Sequence, residues 1–179
     1  KHHLSMLSRF CFFCYLGSSI RMDGDGSSEI AIRVAKAEGA FSALSECLWR
    51  NRRISIETKL KVYLAAVRPV LLYGCETWPL KAQDVSKLQG FEYRCWRRIL
   101  MISYLDHVSN VWVKTRIRAG STCAAEIMKR RLTYLGHILR RPGTFIPKLC
   151  LLEPPKPGWR RPPGGQPTYV METQRPAGL

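Results

Sequence analysis

At 179 residues, 46% hydrophobic and 23% charged, the chain has the composition of a globular protein and not of a disordered one. Its length suits one domain, or one domain with a tail, and allows a sizeable buried core. Lys and Arg number 29 against 13 Asp and Glu, so the net charge is +16, which favours a polyanionic partner, either nucleic acid or an acidic membrane surface.

The first segment, residues 1–20, predicts a short β-hairpin. An aromatic run from Phe10 to Leu16 ends at Gly17 and is followed by Ser-Ser-Ile. Dense aromatic residues interrupted by a glycine are typical of two strands joined by a turn.

The same segment also has the apolar centre of a secretory signal, between Leu4 and Ile20. Arg9 interrupts this stretch, and no continuous apolar run reaches the ~20 residues that cross a bilayer. We therefore expect neither a secretory signal nor a membrane span. Since the sequence starts with Lys1 and not with Met, we expect it to be part of a longer chain.

Residues 21–141 predict a helical body, because apolar residues recur there at steps of three and four. Pro69 should kink or restart the second helix. Residues 142–179 are rich in Pro and Gly and predict an irregular tail. The expected fold class is mainly α: a short N-terminal β-hairpin, a bundle of about five helices and an irregular Pro-rich C-terminal tail. The five expected helical segments are about 30–48, 57–74, 82–101, 109–118 (with Ser109 as N-cap) and 123–139.

The third predicted helix carries the best candidate for an interaction surface. At 100° per residue, Lys87, Arg94 and Arg98 share one narrow stripe beside the apolar face, and Arg97 widens it. Cations one turn apart suit the phosphates of a nucleic-acid backbone, which the planar guanidinium group binds through several donors. The alternative is a solvated face that only keeps the protein soluble.

Positive charge continues beyond this helix. Twelve Lys and Arg lie between Arg94 and Lys148, against two acids. Aromatic residues are interleaved with them, and any that are exposed could stack on bases. The predicted nucleic-acid-binding residues are Lys87, Arg94, Arg97, Arg98, Arg130, Arg131, Arg140 and Arg141.

No catalytic or metal-binding constellation stands out. Tyr104 to His107 reads Tyr-Leu-Asp-His, which lacks the paired carboxylates of two-metal phosphoryl transfer. The one Cys-x-x-Cys, at Cys11 and Cys14, has no second pair at zinc spacing. The seven cysteines are scattered along apolar segments and suit a reducing compartment. We expect no self-contained enzyme, no metal or cofactor bound by this chain, and an intracellular location in the nucleus or cytoplasm.

Five segments in order resemble the region behind the polymerase core in reverse transcriptases of non-LTR (LINE-type) retrotransposons: FCYLGSSI, EIAIRVAKAEGAFSAL, TKLKVYLAAVRPVLLYGCETW, FEYRCWRRIL and RLTYLGHILRRP. The resemblance spans about residues 13–149. It implies an RNA-directed DNA polymerase, often fused to an endonuclease, of which this chain would be the primer-grip hairpin, the thumb and its extension. Tyr15, Leu16 and Gly17 correspond, by this resemblance, to the turn that grips the primer end.

The resemblance also implies partners and a cofactor. The chain would lie along an RNA/DNA template–primer duplex and would join polymerase fingers and palm that it does not itself contain. Mg²⁺ would be held by the carboxylates of that palm. A stand-alone basic helical module that binds DNA or RNA, or an element remnant in a host protein, is a second interpretation. A basic domain on an anionic membrane is a third, although we expect nucleic acid and no membrane as the partner.

Overall fold

The computed structural model describes residues 12–15, 17–21 and 26–152. In this part of the chain a two-stranded ribbon precedes seven α-helices. The strands are β1 (Phe12–Tyr15) and β2 (Ser18–Arg21), and the helices are α1 (Ser27–Ala43), α2 (Ile56–Val62), α3 (Arg68–Leu71), α4 (Ala82–Ile99), α5 (Asn110–Ile117), α6 (Cys123–Leu139) and α7 (Ile146–Leu152).

The ribbon is antiparallel, with Tyr15 opposite Ser18. Gly17 adopts a φ of +78° in the connecting turn, a conformation that is easily reached by a residue without a Cβ atom. The turn is held to α1 by the buried side chain of Arg33, which donates a hydrogen bond to the Gly17 carbonyl. Arg33 also pairs with the Glu29 carboxylate at 2.7 Å.

Side-chain caps start three of the helices. The hydroxyl oxygens of Ser55, Ser109 and Thr122 each accept a hydrogen bond from the backbone N–H three residues further on. Each bond satisfies one donor of the first helical turn that has no partner within the helix. The predicted cap at Ser109 is confirmed.

Helix α4 lies at the centre of the body and packs against α1, α2, α5 and α6. On its inner side Leu88, Cys95 and Ile99 are at most 3% exposed. Beside α1, the rings of Phe41 and Trp49 stack with their centroids 4.5 Å apart, and the Trp49 indole N–H donates to the Phe41 carbonyl. Removal of these apolar side chains from water is the main favourable term for a body of this size.

Two buried polar side chains fix the start of α6. The Glu92 carboxylate on α4 accepts a 2.8 Å hydrogen bond from the N–H of Cys123, the first residue of α6. Arg68 on α3 donates to the carbonyl and the hydroxyl of Ser121, which lies just before α6. Burial raises the pKa of Glu92, although the Cys123 N–H and the charge of Arg68 both favour the carboxylate.

The predicted number of helices is wrong, because the described residues contain seven α-helices and not about five. Part of the difference arises where one predicted helix is divided into α2 and α3. Pro69 cannot donate a backbone hydrogen bond and its ring crowds the preceding turn. The chain passes through a π-helical turn at Tyr63–Val67 before α3 begins, an irregularity typical of such sites.

The prediction of an irregular tail from residue 142 is wrong for Ile146–Leu152, which form α7. Pro147 lies in the first turn of α7, where proline is tolerated because that turn has no partner for its N–H. Lys148 links α7 to the end of α6 through hydrogen bonds from its Nζ to the Leu139 and Arg141 carbonyls. The rest of the predicted tail, residues 153–179, lies outside the described residues.

Candidate nucleic-acid interface

A groove of about 570 Å³ runs between α1, α4 and the loop after α4. Arg94, Arg97 and Arg98 line it from α4, and Phe91 contributes to an apolar floor. Among the described residues of its lining, Glu38 is the one acid. We call this surface, with its three arginines, the α4 groove. Its excess of positive charge suits an anion.

Arg97 is held in place by two hydrogen bonds. Its Nη1 donates to Asn110 Oδ1 and its Nη2 to the Val108 carbonyl, each at 2.8 Å. These bonds order the side chain before any ligand arrives, which lowers the entropy that binding would otherwise cost. Arg97 is half-buried and keeps its charge at the edge of the groove.

Arg94 and Arg98 are exposed and one turn apart. Arg94 Nη1 lies 4.0 Å from Glu38 Oε1, with both side chains more than half exposed, so this pair contributes little stability and yields easily to a stronger anion. The side chain of Arg98 makes no hydrogen bond or ion pair with any described residue. Both guanidinium groups are accessible to a ligand.

Lys87 lies further toward the start of α4 and is exposed, with Nζ 3.5 Å from Asp84 Oδ1. The 100° rotation per residue places it on the same side of the helix as Arg94 and Arg98. The stripe expected from the sequence is thus continuous and faces solvent, although Lys87 does not line the α4 groove.

The predicted arginines of α6 do not extend this surface. Arg131 borders a small pocket together with Val85 and Gln89 of α4. Val85 precedes Arg94 by nine residues, about two and a half turns, so the two side chains leave α4 in opposite directions. The eight predicted residues are therefore divided between two flanks of α4.

A second cationic surface runs along α6. Arg130 and Arg140 line a shallow depression of about 580 Å³ between α6 and the 3₁₀ turn at Cys75–Thr77. Arg130 Nε pairs with Glu126 Oε1 at 3.2 Å. We call this surface the α6 face. Its lining also includes Glu76, Lys129, Thr133, Tyr134 and His137.

Arg141 lies just after α6 and is exposed. Its Nε is 3.3 Å from Nε2 of His137, and its guanidinium lies 5.9 Å from the centroid of the Phe145 ring. It adds positive charge at the C-terminal end of α6 without lining the α6 face.

The turn predicted to resemble a primer grip contributes no described residue to either cationic surface. Gly17 directs its carbonyl to Arg33, whose guanidinium stacks 4.4 Å from the ring centroid of Tyr73. Tyr15 is paired in the ribbon, and Leu16 lies outside the described residues. Among the described residues, none from the ribbon lines the α4 groove or the α6 face.

The buried cysteines and the Tyr-Leu-Asp-His segment have structural roles. Burial raises the pKa of Cys75 to about 11 and that of Cys95 to about 12, so both thiols are protonated at neutral pH and act as small apolar side chains. Asp106 accepts a 2.7 Å hydrogen bond from the Ser103 N–H and closes a local turn. Within the described residues, no group of three or more His, Cys, Asp or Glu is arranged to hold a metal ion.

Most residues that line these surfaces were not predicted as site residues. Glu38 reaches the α4 groove from α1, Asn110 orders Arg97, and Lys129 lies on the α6 face. Lys129 belongs to the counted basic run, so its charge was the available signal. Glu38 and Asn110 carry no local signal, because their proximity to α4 arises only from the way α1 and the loop between α4 and α5 pack against it.

Family relationships do not identify a function for the chain. No protein-family model matches it, and searches of curated proteins and of solved structures find no match either. None of the described helices is long and apolar enough to cross a membrane. Charge, exposure and shape of the two surfaces are the observations from which a function can be inferred.

Proposed function

We propose that the chain is the nucleic-acid-gripping thumb region of an RNA-directed DNA polymerase of a non-LTR retrotransposon, non-catalytic by itself. The observation that carries the binding activity is the convergence of Arg94, Arg97 and Arg98 on one groove with a single acid in its described lining. The polymerase assignment rests on the five sequence segments that resemble this family in order.

The α4 groove has the features that a nucleic-acid backbone requires. The four-residue separation places Arg94 and Arg98 about 6 Å apart along the axis of α4, so that two guanidinium groups can contact neighbouring phosphates on one strand. Arg97 adds a third, already ordered group. Contacts of this kind hold a duplex in register without reading its sequence.

The missing parts of the polymerase would supply the chemistry. Fingers and palm would hold the template–primer, and the palm carboxylates would bind Mg²⁺ for nucleotide transfer. No residue of this chain is assigned to that metal. The buried, protonated thiols of Cys75 and Cys95 suit a reducing, intracellular compartment, nuclear or cytoplasmic.

A stand-alone DNA- or RNA-binding module is the second candidate. The observation that favours it is the closed core around α4, which contains side chains from α1 to α6 and gives this body an apolar interior of its own. A Tyr-x-Asp-Asp strand hairpin encoded upstream in the same reading frame would favour the polymerase. An initiator Met just upstream would favour the module.

The binding proposal is tested with the double variant Arg94→Ala/Arg98→Ala in the full chain. Affinity for a blunt RNA–DNA duplex is measured by fluorescence anisotropy over a range of salt concentrations. Each lost phosphate contact should shallow the plot of log K against log salt by about 0.9 unit, so the double variant should lose roughly 1.8 units. Binding at the lowest salt should weaken as well.

The matched control is Arg52→Ala/Arg53→Ala. It removes the same charge from exposed positions that line neither cationic surface, so it should change the slope much less. Circular dichroism of both variants checks that the helices remain. Equal slopes for the two double variants would show that the α4 groove does not contact the duplex.

A further inference from the structure

We propose that the α6 face is a separate site for an unpaired nucleic-acid strand, so that the protein recognises a junction between duplex and single strand. The chemical class of the ligand rests on the proposed function. The surface, the strandedness of its ligand and the recognition of a junction go beyond it. Three observations support this: the difference in aromatic exposure between the two surfaces, the charge of α6, and the positions of the two flanks.

The α4 groove and the α6 face differ in their aromatic side chains. In the groove Phe41 and Phe91 are 5% and 3% exposed, so their rings offer no face to a base. On the α6 face Tyr134 is 43% exposed. Bases inside a duplex are stacked on each other, and only an unpaired base can stack on a protein ring. The groove thus suits a backbone, and the α6 face suits an unpaired strand.

Cations flank this ring along the helix. Lys129 and Arg140 line the same depression as Tyr134 and make no ion pair with a described residue. They are eleven residues apart, about 16 Å along the axis at 1.5 Å per residue. At the 3.4 Å rise of a stacked strand, that length corresponds to about five nucleotides, in the range of known single-strand sites.

Among the described residues, two acids and three cations line the depression, so its net charge is positive. The Glu126 carboxylate pairs with Arg130 at 3.2 Å, and Glu76 faces the cations from the 3₁₀ turn. At the C-terminal end of α6, where helix carbonyls repel an anion, Lys148 Nζ binds the Leu139 carbonyl at 2.9 Å. The ammonium group of Lys148 thus opposes the partial negative charge of this helix end.

Helix α6 packs against the side of α4 opposite to Arg94, so the two surfaces lie on opposite sides of α4. A duplex in the α4 groove and its single-stranded overhang on the α6 face would be bound by the same molecule. Two linked contacts raise the apparent affinity above that of either alone, because the second contact becomes intramolecular. A duplex with an overhang should be the preferred ligand.

The test measures the affinity of the full chain for three probes: a single strand, a blunt duplex, and that duplex with the single strand as an overhang, each in RNA and DNA form. The wild type should bind the overhang probe at least about tenfold more tightly than the blunt duplex. Tyr134→Leu should weaken binding of the single strand by about tenfold and leave the blunt duplex unchanged.

Two further variants make the result specific. Lys129→Ala/Arg140→Ala should shallow the salt dependence for the single strand and not for the blunt duplex. Trp112→Leu is the matched aromatic control, since Trp112 is 48% exposed on α5 and lines neither surface, and it should bind all probes as the wild type does.

The outcomes separate this inference from the proposed function. Single-strand binding that is unaffected by Tyr134→Leu, or a blunt duplex weakened as much as the single strand, would overturn the α6 site. Loss of single-strand binding in Tyr134→Leu, together with unchanged duplex binding in Arg94→Ala/Arg98→Ala, would support the α6 site and reject the α4 groove. A wild type that binds none of the probes would overturn both.

Discussion

Helices α4 and α6 are nearly equal in length, at 18 and 17 residues, and both carry arginines beside apolar residues, yet their environments differ. Helix α4 has buried side chains from Asp84 to Ile99, whereas those of α6 are Cys123 and Ile127, both at its N-terminal end. Four helices surround α4, while α6 contacts α4, the turn at 75–77 and α7. Two similar amphipathic patterns have produced a central helix and a projecting one.

The comparison shows that arginines on two similar helices can form two different kinds of surface. Neighbouring elements restrict the cations of α4: Arg97 is bound by Asn110 and the Val108 carbonyl. The projecting half of α6 leaves Tyr134 and Arg140 open to solvent. Ordered cations at the edge of a core suit a regular duplex backbone, and an open helix face suits a flexible strand.

Core truncation should show the largest contrast between the two helices. Ile99→Ala on α4 removes a fully buried side chain and should lower the free energy of unfolding by about 2–5 kcal/mol, because it leaves a cavity. Leu139→Ala on α6 removes a side chain that is 43% exposed and should cost about 1 kcal/mol or less. Urea unfolding of both variants gives the comparison. Similar losses of unfolding free energy in the two variants would mean that another molecule or another part of the chain covers Leu139 in solution.

Glu92 joins the two helices, and its replacement should have the next largest effect. Glu92→Leu leaves the buried Cys123 N–H without its acceptor, which should cost about 1–3 kcal/mol. Glu92→Gln keeps an acceptor oxygen at that position and should cost less. Chemical unfolding at neutral pH measures which of the two variants is less stable. A leucine variant as stable as the glutamine variant would show that this bond does not fix the start of α6.

The pH dependence of stability gives a second measurement on Glu92. Burial raises its pKa above the ordinary value of 4.5, so the folded state binds this proton more tightly than the unfolded state. The associated stabilisation is complete below pH 4.5 and is lost as the pH rises through the folded-state pKa. Glu92→Gln lacks this ionisation. The stability of the wild type relative to the glutamine variant should fall as the pH rises, and a constant difference would contradict the raised pKa.

The smallest effect is expected at the cap of α6. Thr122→Ala removes the hydroxyl that accepts from the Ala125 N–H and should cost about 1 kcal/mol. Ser109→Ala, at the equivalent cap of α5, is the matched comparison. Because few side chains of α6 are buried, the loss at Thr122 should also speed hydrogen exchange along α6 more than along α4. Equal exchange in both helices would argue that α6 is as firmly packed as α4.

Local sequence signals located most elements of the helical body. The predicted bounds of the third and fifth helices agree with α4 and α6 to within two residues, because both follow the 3.6-residue apolar period. Ser109 is recognisable as a cap from its position before an apolar run. The restart of the helix at Pro69 was predicted, because proline lacks a backbone donor. The π-helical turn at Tyr63–Val67 and the short helix α7 were harder to predict, since each depends on how a proline is accommodated by its neighbours.

The site was only partly predictable for the same reason. The stripe of Lys87, Arg94 and Arg98 follows from the rotation per residue along one helix and needs no tertiary information. The position of Arg131 on the opposite side of α4 from Arg94 can be predicted only if one knows which side of α4 packs against α6. The ordering of Arg97 by Asn110 requires the loop between α4 and α5 to fold back on α4.

The amino-acid sequence by itself determined a basic, mainly helical chain with arginines on one edge of its central helix, because composition and helical period are properties of neighbouring residues. Tertiary packing alone decided that the cations form two surfaces, that Glu38 lines one of them and Asn110 orders its Arg97, and that Tyr134 is exposed on the other. These features depend on which helix faces are covered, and that choice is made by the burial of apolar surface over the whole body.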